Sequence, residues 1–323
     1  MSLVAEEVER VTAEQAAVHL VSCVEMCHGN LSRLRDELGP NIQIILLSET
    51  GGAVEEGVEV VRVPPGTKLS KIRSWVSGHA PTGLLCICDP DMTLDTVKAR
   101  GVILKALAES RPVVAYGRIT SSGGSLLREV IAFDKGWSHR VVRPLLWRLG
   151  VGASVPGQFL VVSASLFAAI DPSVDSYLDD LYLGLFARSV PGAVVICEPV
   201  VVGSEESRQG WVGLVAQRLR WMRGFVTLVW HMSTNPVALG RLVAHFLAYH
   251  GFPVLAVGLL VALWLTCPLA ASLLTVLFVL ATSAAAGRNP AVGLAYWLTF
   301  PFVHVAATLG WWLPLSGKFL QRR

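Results

Sequence analysis

Hydrophobic and polar positions change rhythm along this chain, and the changes divide it. Between about residues 16 and 206, short β-branched runs bounded by Gly or Pro alternate with longer mixed stretches. The runs AAVHLVSCV (16–24), NIQIILLSE (41–49), VEVVRV (58–63), GLLCICD (83–89), PVVAYGRI (112–119), FLVVSA (159–164) and AVVICEPVVV (193–202) predict strands. LSRLRDEL (31–38), KLSKIRSWVSG (68–78) and LDTVKARGVILKALAES (94–110) predict helices between them. Strand–helix alternation predicts an α/β domain on a mostly parallel sheet with helices on both faces. Ligands then sit at the carboxyl ends of the strands. GLLCICD is a continuous apolar run, as a central strand buried on both faces requires, and it delivers acids at its C-terminal end. The basic stretch LLREVIAFDKGWSHRVVRPLLWRLG (126–150), with Trp137 and Trp147, reads either as a second interfacial element or as an ordinary amphipathic helix on the domain.

After residue 206 the rhythm is lost to apolar runs. Gly251 to Gly287 holds 37 residues with no charge and no His. One helix of that length would be about 55 Å long, against a hydrocarbon core of about 30 Å. Pro268 sits in the middle and breaks the ladder. A hairpin of two short spans, 252–267 and 269–286, is predicted. A third apolar stretch, 291–313, contains Pro301 and His304 and ends in Trp311-Trp312, residues that favour a membrane interface. The chain closes on GKFLQRR, a basic tail expected on the cytosolic side. If the acidic domain and this tail are both cytosolic, the crossings are even in number, yet three segments give an odd one. Either 291–313 is re-entrant, or 236–250 adds a fourth crossing despite Arg241 and two histidines, so the count lies between two and four.

Charge sharpens the division. Of 323 residues 53% are hydrophobic and only 16% are charged, where soluble chains carry about 25%. All 24 acids lie at or before Glu206, alongside 18 basic residues; the 9 basic residues after it face none. Disorder, collagen-like structure and a small disulfide scaffold are excluded. Cys23, Cys27, Cys86, Cys88, Cys197 and Cys267 match no zinc spacing. Cys86 and Cys88 are expected as small hydrophobes on one strand face, and reduced thiols suit a cytosolic setting. The start, MSLVAEEVERVTAEQ, has neither a basic n-region nor an apolar h-region, so no signal peptide is expected.

Three motifs follow one another. Asp89-Pro90-Asp91 stands straight after GLLCICD. Two carboxylates one residue apart can converge on a hard cation such as Mg²⁺, which is held by one or two carboxylates plus substrate phosphates. A plain strand-end turn gives the same pattern. Asp179-Asp180 lies in SYLDDLYLGLF, where repulsion and partial desolvation raise the pKa of one acid toward general-base range. The bland alternative is that Asp179 caps the next helix. Gln217-Arg218-Leu219-Arg220-Trp221 continues to Met222-Arg223, a basic cluster among apolar residues from Trp211 to His231. That composition fits an interfacial helix, or simply an anchor on lipid phosphates.

Taken in this order, the motifs make residues 16–230 and the membrane tail resemble the membrane-associated family-2 glycosyltransferases. That family includes the cellulose, chitin and hyaluronan synthases and ceramide glucosyltransferase. The resemblance implies a GT-A (Rossmann-like) nucleotide-sugar-binding domain over 1–206. Interfacial helices carrying the Q-x-x-R-W motif follow over 207–250, and transmembrane helices over 251–323. It implies Asp91 and Asp89 as ligands of Mn²⁺ or Mg²⁺, Asp180 as general base and Asp179 as its supporting charge. Glu49, Lys68, Asp89, Gln217, Arg220, Trp221 and Arg223 are implied on the donor side, with Trp221 also a flat surface for an acceptor. The chain departs from the family pattern at SCVEMCHGN (22–30), at Glu49 where an Asp is usual, at GTKLSKIRS, and at Ser163 where an Arg is frequent. The expected activity is inverting transfer from a nucleotide-diphosphate sugar, with UDP as carrier, to a lipid-linked acceptor at the membrane. Nucleic acid is not an implied partner. A processive polysaccharide synthase and a non-catalytic membrane scaffold are the alternatives. A small transporter is poorly supported, since His304 is the ionisable group within the apolar spans.

Overall fold

The computed structural model describes residues 18–23, 37–38, 42–51, 58–89, 91–122, 124–176, 178–206 and 210–312. The chain divides into two compact units. One comprises Met1–Ile119 with Ser154–Glu205, the other Thr120–Ala153 with Glu206–Arg323.

The first unit is built on an eight-stranded sheet. Its strands are β1 (Val18–Cys23), β2 (Ile42–Ser48), β3 (Val58–Arg62), β4 (Leu84–Cys88), β5 (Met92–Leu94), β6 (Val113–Ser122), β7 (Phe159–Ser163) and β8 (Val194–Glu206). The order is β3-β2-β1-β4-β7-β6-β8-β5. Each of the seven runs that predict strands forms one, and β5 is an addition too short for an apolar pattern to reveal. The expectation of a mostly parallel sheet needs correction. β3, β2, β1 and β4 pair in parallel. β4 with β7, β6 with β7, and β5 with β8 pair antiparallel. A parallel neighbour demands a crossover, and β7 instead re-enters the sheet after the chain's excursion through residues 120–153. The helices of this unit are α1 (Lys68–His79), α2 (Thr96–Leu107), and, after residue 153, a short one at Ala164–Ala168 and one at Asp179–Ser189. The helix expected at 31–38 lies almost wholly outside the described residues, as does the stretch 24–30. β4 is buried along its whole length, as its unbroken apolar sequence requires. Cys86 and Cys88 are buried there with no disulfide, and burial pushes the Cys86 thiol up.

The second unit opens with α3 (Leu126–Trp137), a π-helical turn (Ser138–Val142) and α4 (Arg143–Arg148). With the two helices just given named α5 (Ala164–Ala168) and α6 (Asp179–Ser189), it continues with α7 (Trp211–His231) and α8 (Pro236–Phe246). A second π turn (Leu247–Gly251) leads into α9 (Phe252–Thr266), followed by α10 (Pro268–Ala286) and α11 (Pro290–Gly310). α8, the π turn and α9 form one continuous 31-residue helix, so residues 236–250 are not a separate helix. Among the described residues three helices are long and apolar enough to cross a membrane: Pro236–Thr266, Pro268–Ala286 and Pro290–Gly310. Pro268 starts α10 rather than kinking it, where its missing N–H costs nothing. The core of this unit joins Leu127, Val130, Ile131 and Phe133 of α3 to Val279 and Ala286 of α10 and to Tyr296, Trp297, Phe300 and Val303 of α11. Within the segment 126–150, α3 packs in this unit and not on the sheet. It packs among the apolar helices.

Candidate active site

The carboxyl end of β4 fixes the first acid. β4 is flanked by β1 and β7, so the backbone leaving it at Asp89 is held from both sides. The Asp89 N–H donates to the Gln158 carbonyl (2.8 Å), and the Met92 N–H donates to the Asp89 carbonyl (3.2 Å), which closes the turn. Asp91 is exposed on that turn. Asp89 is half-buried.

The second acid pair opens α6. Leu178 is the N-cap and offers no side-chain bond, so Asp179 does not cap the helix and stands as its first residue. The Asp180 carboxylate accepts the Leu181 N–H (2.8 Å), which points its side chain along the helix start. Acids in this first turn also meet the positive end of the helix dipole.

Lys68 brings the two motifs together. It begins α1, whose N-cap Thr67 accepts the Ser70 N–H. The Lys68 ammonium lies 3.0 Å from Asp89 Oδ1 and 2.9 Å from Asp179 Oδ2. It also donates to the Gly157 carbonyl (2.9 Å). An ammonium has three N–H donors, and these acceptors lie within reach of them. Burial alone would push Lys68 down, but the carboxylates of Asp179 and Asp89 outweigh it and hold the group well above its ordinary value. Lys68, expected as a phosphate or nucleobase contact, is bonded in this structure to two carboxylates and a carbonyl. Asp179 and Asp180 are likewise not an isolated like-charged pair, because a buried cation sits on one of them. Gly157 is needed for the close approach. A Cβ there would lie 3.1 Å from Asp180 Cβ and 3.4 Å from Lys68 Nζ.

Glu49 follows β2 and pairs with Lys71 of α1 (2.7 Å). The hydrogen bond from Lys71 holds its carboxyl below the usual carboxylate range. Ser163, where an Arg is frequent in the family, accepts the Val113 N–H through its hydroxyl (2.8 Å) and so joins β7 to β6.

The remaining expected residues lie on α7, in the other unit. Gln217, Arg220, Trp221 and Arg223 are half-buried there. The buried member of the motif is Arg218. Its guanidinium stands 4.2 Å from the Trp221 ring centroid and 2.6 Å from Asp134 Oδ2. Trp221 thus carries a cation on one ring face rather than presenting both to an acceptor. Arg223 Nε donates to the Trp311 carbonyl at the end of α11 (2.8 Å). Sequence reasoning missed the Arg218–Asp134 pair and the backbone at Gly157 and Gln158. The signal for Asp134 was present: one acid inside the apolar run VIAFD, in an otherwise basic stretch.

The oxygen donors at the β4 end suit a hard divalent ion. Among the described residues no cluster of three or more His, Cys, Asp or Glu side chains could hold a metal by itself. Two carboxylates with the rest of the sphere supplied by a substrate's phosphates is the ordinary arrangement for Mg²⁺, so Asp89 and Asp91 fit that group.

No family model matches the chain, and no curated protein matches it. Solved structures do. Glucosyl-3-phosphoglycerate synthase from Mycobacterium tuberculosis, in complex with Mg²⁺ and UDP, is 15% identical over 72% of this chain and 84% of that one, with a TM-score of 0.48. The mannosyltransferase PcManGT from Pyrobaculum calidifontis, in complex with GDP-mannose and Mn²⁺, is 14% identical. That match covers 96% of this chain and 94% of that one, with a TM-score of 0.53. The likeness to the mannosyltransferase shows a shared fold, and this chain has the GT-A architecture followed by apolar C-terminal helices.

Proposed function

We propose that the chain is an inverting, metal-dependent glycosyltransferase that moves a sugar from a nucleotide-diphosphate donor to a lipid-linked acceptor at a membrane. The observation that carries this reading is the convergence at Lys68: the acid after β4 and the acid opening α6 sit within 3.0 Å of one ammonium. A buried cation shared by a strand-end turn and a helix start supports a common site for the two acids.

In this reading Asp91 and Asp89 hold Mn²⁺ or Mg²⁺. When bound, the ion supplies Lewis-acid stabilisation of the departing diphosphate. Asp180 takes the proton of the acceptor hydroxyl as that oxygen attacks the anomeric carbon from the face opposite the leaving group, which inverts the centre. Asp179 supports its charge. Glu49, just beyond β2, is assigned to the nucleoside. The resemblance assigns Gln217, Arg220, Trp221 and Arg223 to donor and acceptor binding, with the arginines offsetting diphosphate charge. The proposed carrier is UDP. GDP is the competing carrier, being the one the mannosyltransferase binds. Single transfer is preferred to polymer synthesis because two to four short spans are too few to enclose a polar channel. The membrane region is read as multi-pass, with the sheet unit on the cytosolic side.

The experiment is a panel of UDP- and GDP-sugars offered to purified protein with membrane lipids and Mn²⁺. Diphosphate-nucleotide release is expected with one donor, lost with EDTA and restored by metal. Asp180→Asn is expected to lower turnover by about 10²–10⁴-fold while nucleotide binding persists. Wild-type protein inert toward every donor and metal would overturn the reading, and long polymer product would overturn the preference for single transfer.

A further inference from the structure

Helix α1 reaches both carboxylate motifs through Lys68, and the loop before α6 through two further side chains. Thr67, its N-cap, donates to Asp175. Arg73 donates to the carbonyls of Pro172 and Val174, the latter at 2.7 Å. Both contacts fall on the loop that leads into α6. From the same helix, Lys68 reaches Asp179 on one side and Asp89 on the other. The Gly157 carbonyl that completes its set adjoins Gln158, whose own carbonyl receives the Asp89 N–H. The cation is 8% exposed. An ion pair so placed is held by shape as well as charge.

We propose that Lys68 is a positioning residue, a buried tie that holds the β4-end turn and the start of α6 at a fixed separation. The inference rests on the proposed glycosyl transfer for its functional meaning, though the tie itself does not. Without the cation, Asp89 and Asp179 would face each other as uncompensated acids, and the two motifs would drift apart. Alignment of a base with a reacting centre is steeply sensitive to such drift, and a displacement of about 1 Å can cost about 10²-fold in rate. The tie therefore acts on turnover through Asp180 and Asp91 rather than by touching the donor.

A double-variant cycle tests this. Lys68→Met, Asp179→Asn and the pair together are prepared in the full chain. The melting temperature of Lys68→Met is expected to fall by about 5 °C or more, because one partner of a buried pair is left alone. Adding Asp179→Asn should restore at least half of that loss. In activity, Lys68→Met should lower kcat by about 10²-fold, with the affinity for UDP and Mn²⁺ changed by less than about 5-fold. Asp179→Asn should cost far less in the Lys68→Met background than alone. Strict additivity of the two changes in melting temperature overturns the tie. Loss of UDP binding in proportion to loss of kcat overturns it too, in favour of a direct diphosphate contact. If the wild type transfers no sugar at all, the proposed function fails while the melting cycle still decides the tie.

Discussion

At the scale of single residues, the second unit turns on Asp134 and Arg218, each 2% exposed in its side chain. Asp134 accepts from Arg218 (2.6 Å), from the Tyr249 hydroxyl (2.8 Å) and from the Tyr296 hydroxyl (3.1 Å). Three donors on one buried carboxylate satisfy it well, and each comes from a different helical segment. Removing one partner of a buried ion pair costs about 3–5 kcal/mol, because the other charge stays behind. Asp134→Leu is expected to lower stability by that amount in detergent, measured by thermal or denaturant unfolding. Arg218→Met in the same chain should recover much of it, since replacing both charges by apolar groups is often neutral. Additive losses would show that the two charges act independently. The pair Lys71–Glu49 gives the contrast. Glu49 is 27% exposed there, and such partly solvated pairs contribute about 0–1 kcal/mol. The motif pattern picked out Arg220, two residues along α7, because spacing names residue types and not partners. Arg218 finds its acid 84 residues earlier in the chain, a relation that no local pattern carries.

At the scale of elements, packing within the second unit depends on backbones coming close. A Cβ on Gly136 of α3 would stand 2.4 Å from the Ala286 carbonyl at the end of α10. One on Gly293 of α11 would stand 2.0 Å from Ser283 Oγ. Small residues at such crossings are how apolar helices gain dispersion contact where no water drives them together. Gly136→Ala meets backbone that cannot swing aside, and a loss of about 1–3 kcal/mol is expected. Gly258 in α9 has nothing within 4 Å, so Gly258→Ala should be neutral or gain about 0.5–1 kcal/mol. Comparing the two melting temperatures tests the close approach, and equal shifts would refute it. The elements themselves were largely legible in the sequence. Short β-branched runs with Gly or Pro borders located seven strands, and Pro268 located the start of α10. What stayed hidden was pairing. The antiparallel entry of β7 beside β4 is set by where the chain returns after residue 153. The place of α3 is set by helices that begin more than 130 residues later. Among the candidate site residues, the acids were visible as motifs. The joining of two of them by Lys68 was not, since a lone Lys at a helix start has no distinguishing neighbour in sequence.

At the scale of the whole molecule, charge follows the two units more closely than it follows the chain. The unit of Met1–Ile119 with Ser154–Glu205 has 21 acidic and 13 basic residues. The other has 14 basic and only 3 acidic residues, because it takes in the basic stretch 126–148 as well as the tail. A basic unit is drawn to an anionic leaflet by about 1 kcal/mol per residue close to the surface, whereas an acidic one is repelled. The arginines at the ends of the apolar hairpin give an expected orientation for it. Arg241 in the middle of α8 and Arg288 just after α10 mark one end of it, and Cys267 between α9 and α10 marks the other, with no charge near. Arginines favour the cytosolic side, so the hairpin should carry Cys267 to the opposite face. Cys267 is a free, exposed thiol. A membrane-impermeant maleimide applied to intact cells is therefore expected to label it, with the labelled peptide identified by mass spectrometry and Cys267→Ser as the control. Labelling that requires permeabilised cells would reverse the orientation.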